Sequence, residues 1–319
     1  MLYNQYKCLQ QYVDGVAQDV YKKGDLVKTA DFDSLKACEN NEILTKGCFS
    51  WINTTDNKIF YFINEKYYEA TNSPVCIGKP YHSLIFYDNS SYKTNYNLTS
   101  LNLSYIDTSD LDYMQAMFHY CSSLVSLNLS NFNTAKVKTF NSMFDSCEKL
   151  SSLNLSSFTT DECTDMGAMF GDCKSLVSLS LSNFNTAKVT DMQLMFGGCE
   201  KLKFVNVSSF NTSSVLNFNA MFADCYNLTN LDLSSFTTAS EINSCAYMFQ
   251  NCRNLTKLNL SKFGPVRDTD GGDMFMNCDK LNHIICTESF KNWCKLNQDH
   301  IKLPAAMRNG GSGTWEIVG

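Results

Sequence analysis

The side chains most able to do chemistry are the cysteines, of which the 319-residue chain has fifteen. A thiolate can attack an electrophile, ligate zinc or iron, or pair as a disulfide. Seven of them stand at nearly constant intervals: Cys121, Cys147, Cys173, Cys199, Cys225, Cys252 and Cys278, 26 residues apart with one step of 27. Each lies three residues after a Met-Phe pair, as in "MFGGC" at 195 to 199. That spacing predicts stacked coils, in which equivalent residues lie roughly 4.8 Å apart and point the same way. A disulfide needs facing side chains with Cβ atoms about 3.8 Å apart, so a parallel column of thiols is badly posed for bridging. The expected role is a buried structural thiol, small and nonpolar enough to sit between coils. Cys163 and Cys245 occupy slots held in another coil by Val189 and Met192 and belong to the same core. Cys8, Cys38, Cys48, Cys76, Cys286 and Cys294 show no C-x-x-C spacing, which argues against zinc but leaves a disulfide in either end open.

Other reactive constellations are missing from the sequence. The histidines His82, His119, His283 and His300 are scattered, and there is no H-E-x-x-H, G-x-S-x-G or phosphate-loop pattern. The glycine-rich "RNGGSGTW" at 308 to 315 lacks the lysine and following helix of a phosphate loop. The expectation is no enzyme, no cofactor and no metal. A net charge of -6 without a lysine or arginine run argues against nucleic acid as a partner. No apolar run is long enough for direct membrane insertion. If Met1 is the natural start, "MLYNQYKCLQQYVDGVAQDV" has neither the basic nor the apolar region of a secretion signal.

The elements that must position these residues repeat with the cysteines. Val189, Met192, Met195, Phe196, Cys199 and Leu202 fall within an arc of roughly 140° on a helical wheel, which predicts a short helix. The rhythm then alternates in "LVSLNLS" (124 to 130) and "LTNLDLS" (228 to 234), which predicts strands. Each unit therefore reads as strand, turn and helix, an α/β leucine-rich-repeat solenoid with a parallel sheet. Leu98, Leu124, Leu150, Leu176, Leu202, Leu228, Leu255 and Leu281 mark about eight coils. Phe132, Phe158, Phe184, Phe210, Phe236 and Phe263 stand where many such repeats carry asparagine or cysteine. Thr134, Thr160, Thr186 and Thr212 recur in the turn after the strand, where a hydroxyl satisfies backbone groups.

The pattern M-F-x-x-C-x-x-L-x-x-L-x-L-S-x-F, recurring over roughly residues 94 to 288, resembles the BspA-like class of leucine-rich repeats. The resemblance implies a surface-displayed adhesion or recognition module without catalytic residues. Residues 1–93 lack the repeat and read as a small β-rich capping or anchoring unit, with a short helix over "DFDSLKACEN" capped by Asp33 and a hairpin turning near Asp56-Asn57. The opening "YKCLQQYVDGVAQDVYKKGD" is similar to short modules of virion proteins of gut-bacterial phages. The solenoid is expected over 94–281. Residues 282–319 read as a C-terminal cap of one amphipathic helix and a closing strand.

In each strand the leucines face inward, so the intervening residues form a nearly neutral polar sheet face. Its candidate ligand-binding positions are Ser126, Asn128, Asn154, Ser178, Phe204, Asn206, Asn230, Asp232, Lys257, Asn259 and His283. Hydroxyls and amides suit a glycan or protein ligand, and they equally serve to solvate an exposed sheet. The function expected is non-enzymatic recognition by a virion-exposed fibre or decoration protein of a phage of gut bacteria. Its partners would be protein or glycan on a cell surface, or neighbouring virion proteins through the N-terminal unit. The alternative is a BspA-like adhesin on the bacterial cell surface or secreted from it.

Overall fold

The computed structural model describes residues 5–13, 26–28, 47–53, 59–63, 66–69, 75–76, 100–101, 106–109 and 111–318, the last apart from 239–241 and 267–269. The expected helix near Asp33, Cys38 and the boundary at residue 93 lie outside the described residues. The N-terminal part contributes a five-stranded antiparallel sheet in the order β2-β1-β3-β4-β5. Its strands are β1 (Gln5–Val13), β2 (Leu26–Lys28), β3 (Gly47–Asn53), β4 (Ile59–Ile63) and β5 (Lys66–Glu69). Ile52 pairs with Ile59 and Phe49 with Phe62, while the turn expected at Asp56-Asn57 lies outside the described residues.

The remainder is a parallel-sheet β-solenoid with little helix. Short strands β6 (Val75–Cys76) and β8 (Ile106–Asp107) pair, as do β7 (Ser100–Leu101) and β9 (Ser126–Leu127). They are followed by the parallel pair β10 (Ser178–Ser180) and β11 (Phe204–Asn206). A four-stranded parallel sheet is then built from β12 (Asn230–Asp232), β13 (Lys257–Leu260), β14 (His283–Cys286) and β15 (Thr314–Ile317). On the opposite side of the coil, single parallel bridges run from Tyr113 through Thr139, Asp165, Asp191 and Asn217 to Ser244.

The strand-turn-helix unit is corrected here: the stretch from Val189 to Leu202 is a chain of turns, and the one α-helix among the described residues is α1 (Glu288–Leu296). A helix directs its N–H groups to the carbonyl four residues back along its own axis. In the solenoid the N–H groups of Met192, Leu194, Phe196 and Gly198 instead donate to Asn217, Asn219, Met221 and Ala223 of the next coil, at 2.8–3.0 Å. The intervening Met195, Gly197 and Cys199 donate to the carbonyl three residues back. Alternate residues thus stitch coil to coil while the others close tight turns. The turns require left-handed backbone at the residue before each cysteine: Tyr120, Ser146, Asp172, Gly198, Asp224, Asn251 and Asn277 all have φ between 49° and 74°.

Asp, Asn and Gly tolerate that region best, and they hold five of those seven positions. At Gly198 a Cβ would also meet the Asp172 carboxylate of the preceding coil. Gly198→Ala is expected to lower stability by about 1–2 kcal/mol, measured as a shift in the urea unfolding midpoint.

The inward stripe is nonetheless the one the sequence predicts. Val189, Met192, Met195, Phe196, Cys199 and Leu202 are all fully buried, as are Cys163 and Cys245. A ladder of rings, Phe118, Phe144, Phe170, Phe196, Phe222, Phe249 and Phe275, stacks through the core at centroid spacings of 5.2–6.0 Å. The second set, Phe132, Phe158, Phe184, Phe210, Phe236 and Phe263, is buried under the turn after each strand.

A polar ladder of threonines is threaded through this apolar core. The buried threonine in the turn after each strand clamps one residue of the next coil: Thr186 Oγ1 donates to the carbonyl of Asn211 and accepts from its N–H, both at 2.8 Å. Thr134 does the same to Thr159, Thr160 to Asn185, and Thr212 to Thr237. Thr186→Val keeps the shape but leaves two backbone groups of Asn211 without partners. It is expected to cost about 2–4 kcal/mol, against under about 1 for Thr186→Ser, which keeps the hydroxyl. Equal losses in the two variants' unfolding curves would remove the hydroxyl's role.

The C-terminal residues form the expected helix and strand. Thr287 caps α1 by accepting from Phe290 N–H at 3.2 Å, and Phe290, Trp293 and Cys294 face inward. The Phe290 ring meets Phe263 edge-on at 5.7 Å. Residues 270–275 continue the turns, with Asp270, Gly272 and Met274 carbonyls accepting from the N–H groups of Cys245, Tyr247 and Phe249.

Candidate recognition face

The strand register brings the candidate residues into two columns. In the first, Ser100 pairs with Ser126 and Ser178 with Phe204, while Asn230 pairs with Lys257 and Lys257 with His283. In the second, Ser180 pairs with Asn206, and Asp232 with Asn259. Ser126, Asn128, Asn154, Ser178, Phe204, Asn230 and Asp232 are exposed, whereas Asn206, Lys257, Asn259 and His283 are half-buried. Phe204 leaves 60% of its surface exposed.

The second column has a local structural task. The Oδ1 atoms of Asn128, Asn154, Asn206, Asp232 and Asn259 accept the N–H two residues on, from Ser130, Ser156, Ser208, Ser234 and Ser261, at 2.9–3.1 Å. This side-chain turn steers the chain out of the strand and explains why Asn or Asp recurs there, and with it the repeated N-x-S triplets. It also fixes the outer atom of each side chain, an amide nitrogen at the four asparagines and a carboxylate oxygen at Asp232.

Two members of the face were not singled out from the sequence. Thr314 and Glu316 of β15 lie in register with His283 and Ile285, and His283 Nε2 lies 3.0 Å from the Glu316 carboxylate. The closing strand lacks the leucine pattern, so its one signal was the alternation around Trp315, which packs on the core while Thr314 and Glu316 face out.

The thiols lie behind this face, in the core. Cys147, Cys173, Cys199, Cys225, Cys252 and Cys278 each donate to the carbonyl of a phenylalanine in the preceding coil, at 2.9–3.2 Å. Burial pushes the thiols of Cys121, Cys163 and Cys278 up to about 12, and those of Cys147 and Cys173 upward as well. A neutral, buried thiol is neither nucleophile nor metal ligand, so the column's chemistry is packing and hydrogen bonding. Cys286 and Cys294, left open for bridging above, are buried free thiols. Among the described residues no group of three or more His, Cys, Asp or Glu is placed to hold a metal, and no helix is long and apolar enough to cross a membrane.

Comparison with known proteins follows the repeat. No curated protein matches the chain. One family model, described as "Mycoplasma protein of unknown function, DUF285", matches residues 86–203 and 177–293, overlapping stretches that cover more than half of the chain. The match and the solenoid fit the BspA-like repeat class that the cysteine and leucine spacing resembles. From its turn-built coils to the boundaries of the match, the chain belongs to the DUF285 family.

Proposed function

We propose that the chain is a non-enzymatic recognition module exposed on a virion, a fibre or decoration protein of a phage of gut bacteria. The observation that carries the recognition reading is the strand face, whose side chains are mostly polar, point outward, and are held in register by a stacked core. Pre-set groups on a rigid face lose little freedom when a ligand binds, which suits adhesion. In this reading about eight coils form the face, residues 1–93 anchor the module to neighbouring virion proteins, and residues 282–319 cap the far end. The ligand is protein or glycan on a cell surface. The buried thiol column supports the virion assignment, because it suits folding in the reducing cytosol where virion parts assemble. Neither nucleic acid nor membrane insertion belongs to the reading.

A second reading, a bacterial cell-surface or secreted adhesin, is favoured by the family's description, which names a cellular bacterium. Mass spectrometry of the native source separates the two. Copurification with phage particles supports the virion reading, and recovery with the bacterial envelope replaces it with the adhesin.

A further inference from the structure

We propose that the patch centred on Phe204 binds one neutral hexose unit of a glycan. The inference rests on the recognition reading and narrows its ligand to one chemical class. Phe204 leaves 60% of its surface in water on an otherwise polar face, which forgoes the stabilisation its burial would bring. Its partner in register is Ser178, too short to cover the ring. Asn230 holds the same place one coil on, and Asn206 and Asp232 stand two residues further along the two strands. β11 and β12 belong to separate sheets, but their coils are joined by Phe196 N–H to Met221 and Gly198 N–H to Ala223 and stack Phe196 on Phe222 at 5.2 Å. With same-face residues about 6.6 Å apart along each strand, that stacking gives these four side chains the footprint of a single pyranose ring.

The chemistry of the four positions matches that ring. A hexose presents axial C–H bonds on one face, which pack on an aromatic surface, and vicinal hydroxyls at its rim, which donate and accept hydrogen bonds. Asn206 has its Oδ1 occupied by Ser208 N–H at 3.1 Å, so its Nδ2 is left as an oriented donor. Asp232 has its Oδ1 occupied by Ser234 N–H at 2.9 Å, so its Oδ2 is left as an oriented acceptor. A donor and an acceptor fixed before the ligand arrives need no reorganisation on binding. The Asp232 carboxylate disfavours an acidic sugar by like charge. Elsewhere on the face the aromatic is replaced by Ser126 or Ser178, or by His283, which is held by Glu316.

The test uses the full chain and saturation-transfer NMR with trisaccharides of glucose, galactose, mannose and N-acetylglucosamine, and a sialylated trisaccharide as the charged control. Transfer is expected to at least one neutral sugar. Phe204→Ala should weaken it about tenfold or more with the unfolding midpoint unchanged, since the ring is outside the core. No transfer to any neutral sugar, or transfer that survives Phe204→Ala, overturns the inference. If sugar binding is absent but Phe204→Ala with Asp232→Ala still abolishes attachment to cells or particles, the ligand is a protein and the hexose assignment alone falls. If attachment is also untouched, the recognition reading falls with it.

Discussion

Raising the pH from 8 to 10.5 is expected to unfold the solenoid through its own core. Burial holds the thiols of Cys121, Cys163 and Cys278 at about 12, against an ordinary value of 9.0. The folded chain therefore keeps protons that the unfolded chain releases above pH 9. The stability these groups contribute is fully present below pH 9 and is lost as pH rises toward 12. Each such thiol removes about 1.4 kcal/mol per pH unit in that window, so these three together remove about 4 kcal/mol per unit. The remaining buried thiols act in the same direction. Urea midpoints at pH 8, 9.5 and 10.5 measure the loss. Tyrosines and lysines also titrate there, so the decisive comparison is Cys278→Ser. Serine can donate to the Phe249 carbonyl that Cys278 reaches at 2.9 Å, and it does not ionise. The slope of stability against pH should fall by about 1.4 kcal/mol per unit in that variant. An unchanged slope would sink the assignment of the alkaline limb to the thiols.

What the sequence reveals about this fold depends on which property of the coil repeats. Burial was legible, because Val189, Met192, Met195, Phe196, Cys199 and Leu202 recur at spacings of three and four and all six are buried, while Leu194, off that spacing, is exposed. Conformation was not, because turns that close three residues back present the same spacing to the core as a helix. The discriminating signal lies beside five of the seven repeat cysteines. Asp172, Gly198, Asp224, Asn251 and Asn277 are poor interior helix residues and good left-handed ones, and all adopt positive φ. The columns of the face were legible as well, since a constant period fixes which residues meet across strands, as Ser178 meets Phe204. The side-chain turns at Asn128 and Asp232 were hidden in the recurring N-x-S and D-x-S triplets, which read as composition until the Oδ1 contacts to Ser130 and Ser234 are seen. Glu316 was signalled by the alternation around Trp315 alone, because it enters the face by pairing of β15 with β14 across a stretch with no repeat.

Phe196→Ala is expected to show how far a defect travels in such a stack. The ring lies between Phe170 at 5.6 Å and Phe222 at 5.2 Å, nearly parallel to both, and is fully buried. Truncation removes its transfer free energy and both ring contacts and leaves a cavity, which together cost about 3–5 kcal/mol. The walls of that cavity resist collapse. The backbone of Phe196 is tied to Met221 ahead by its N–H and to Cys225 by its carbonyl, which accepts the thiol. Each coil is bonded to its neighbours alone, so the loss enters two interfaces directly and the distant ones not at all. Hydrogen exchange should therefore accelerate first at amides such as Phe170, Phe196 and Phe222, while those of β13 and β14 keep their protection until global unfolding. Uniform acceleration along the chain would mean that the coils unfold as one cooperative unit and that the ladder transmits strain across its whole length. Loss confined to the neighbouring coils would make the face around Phe204, one turn of chain away, the part of the surface most sensitive to this core residue.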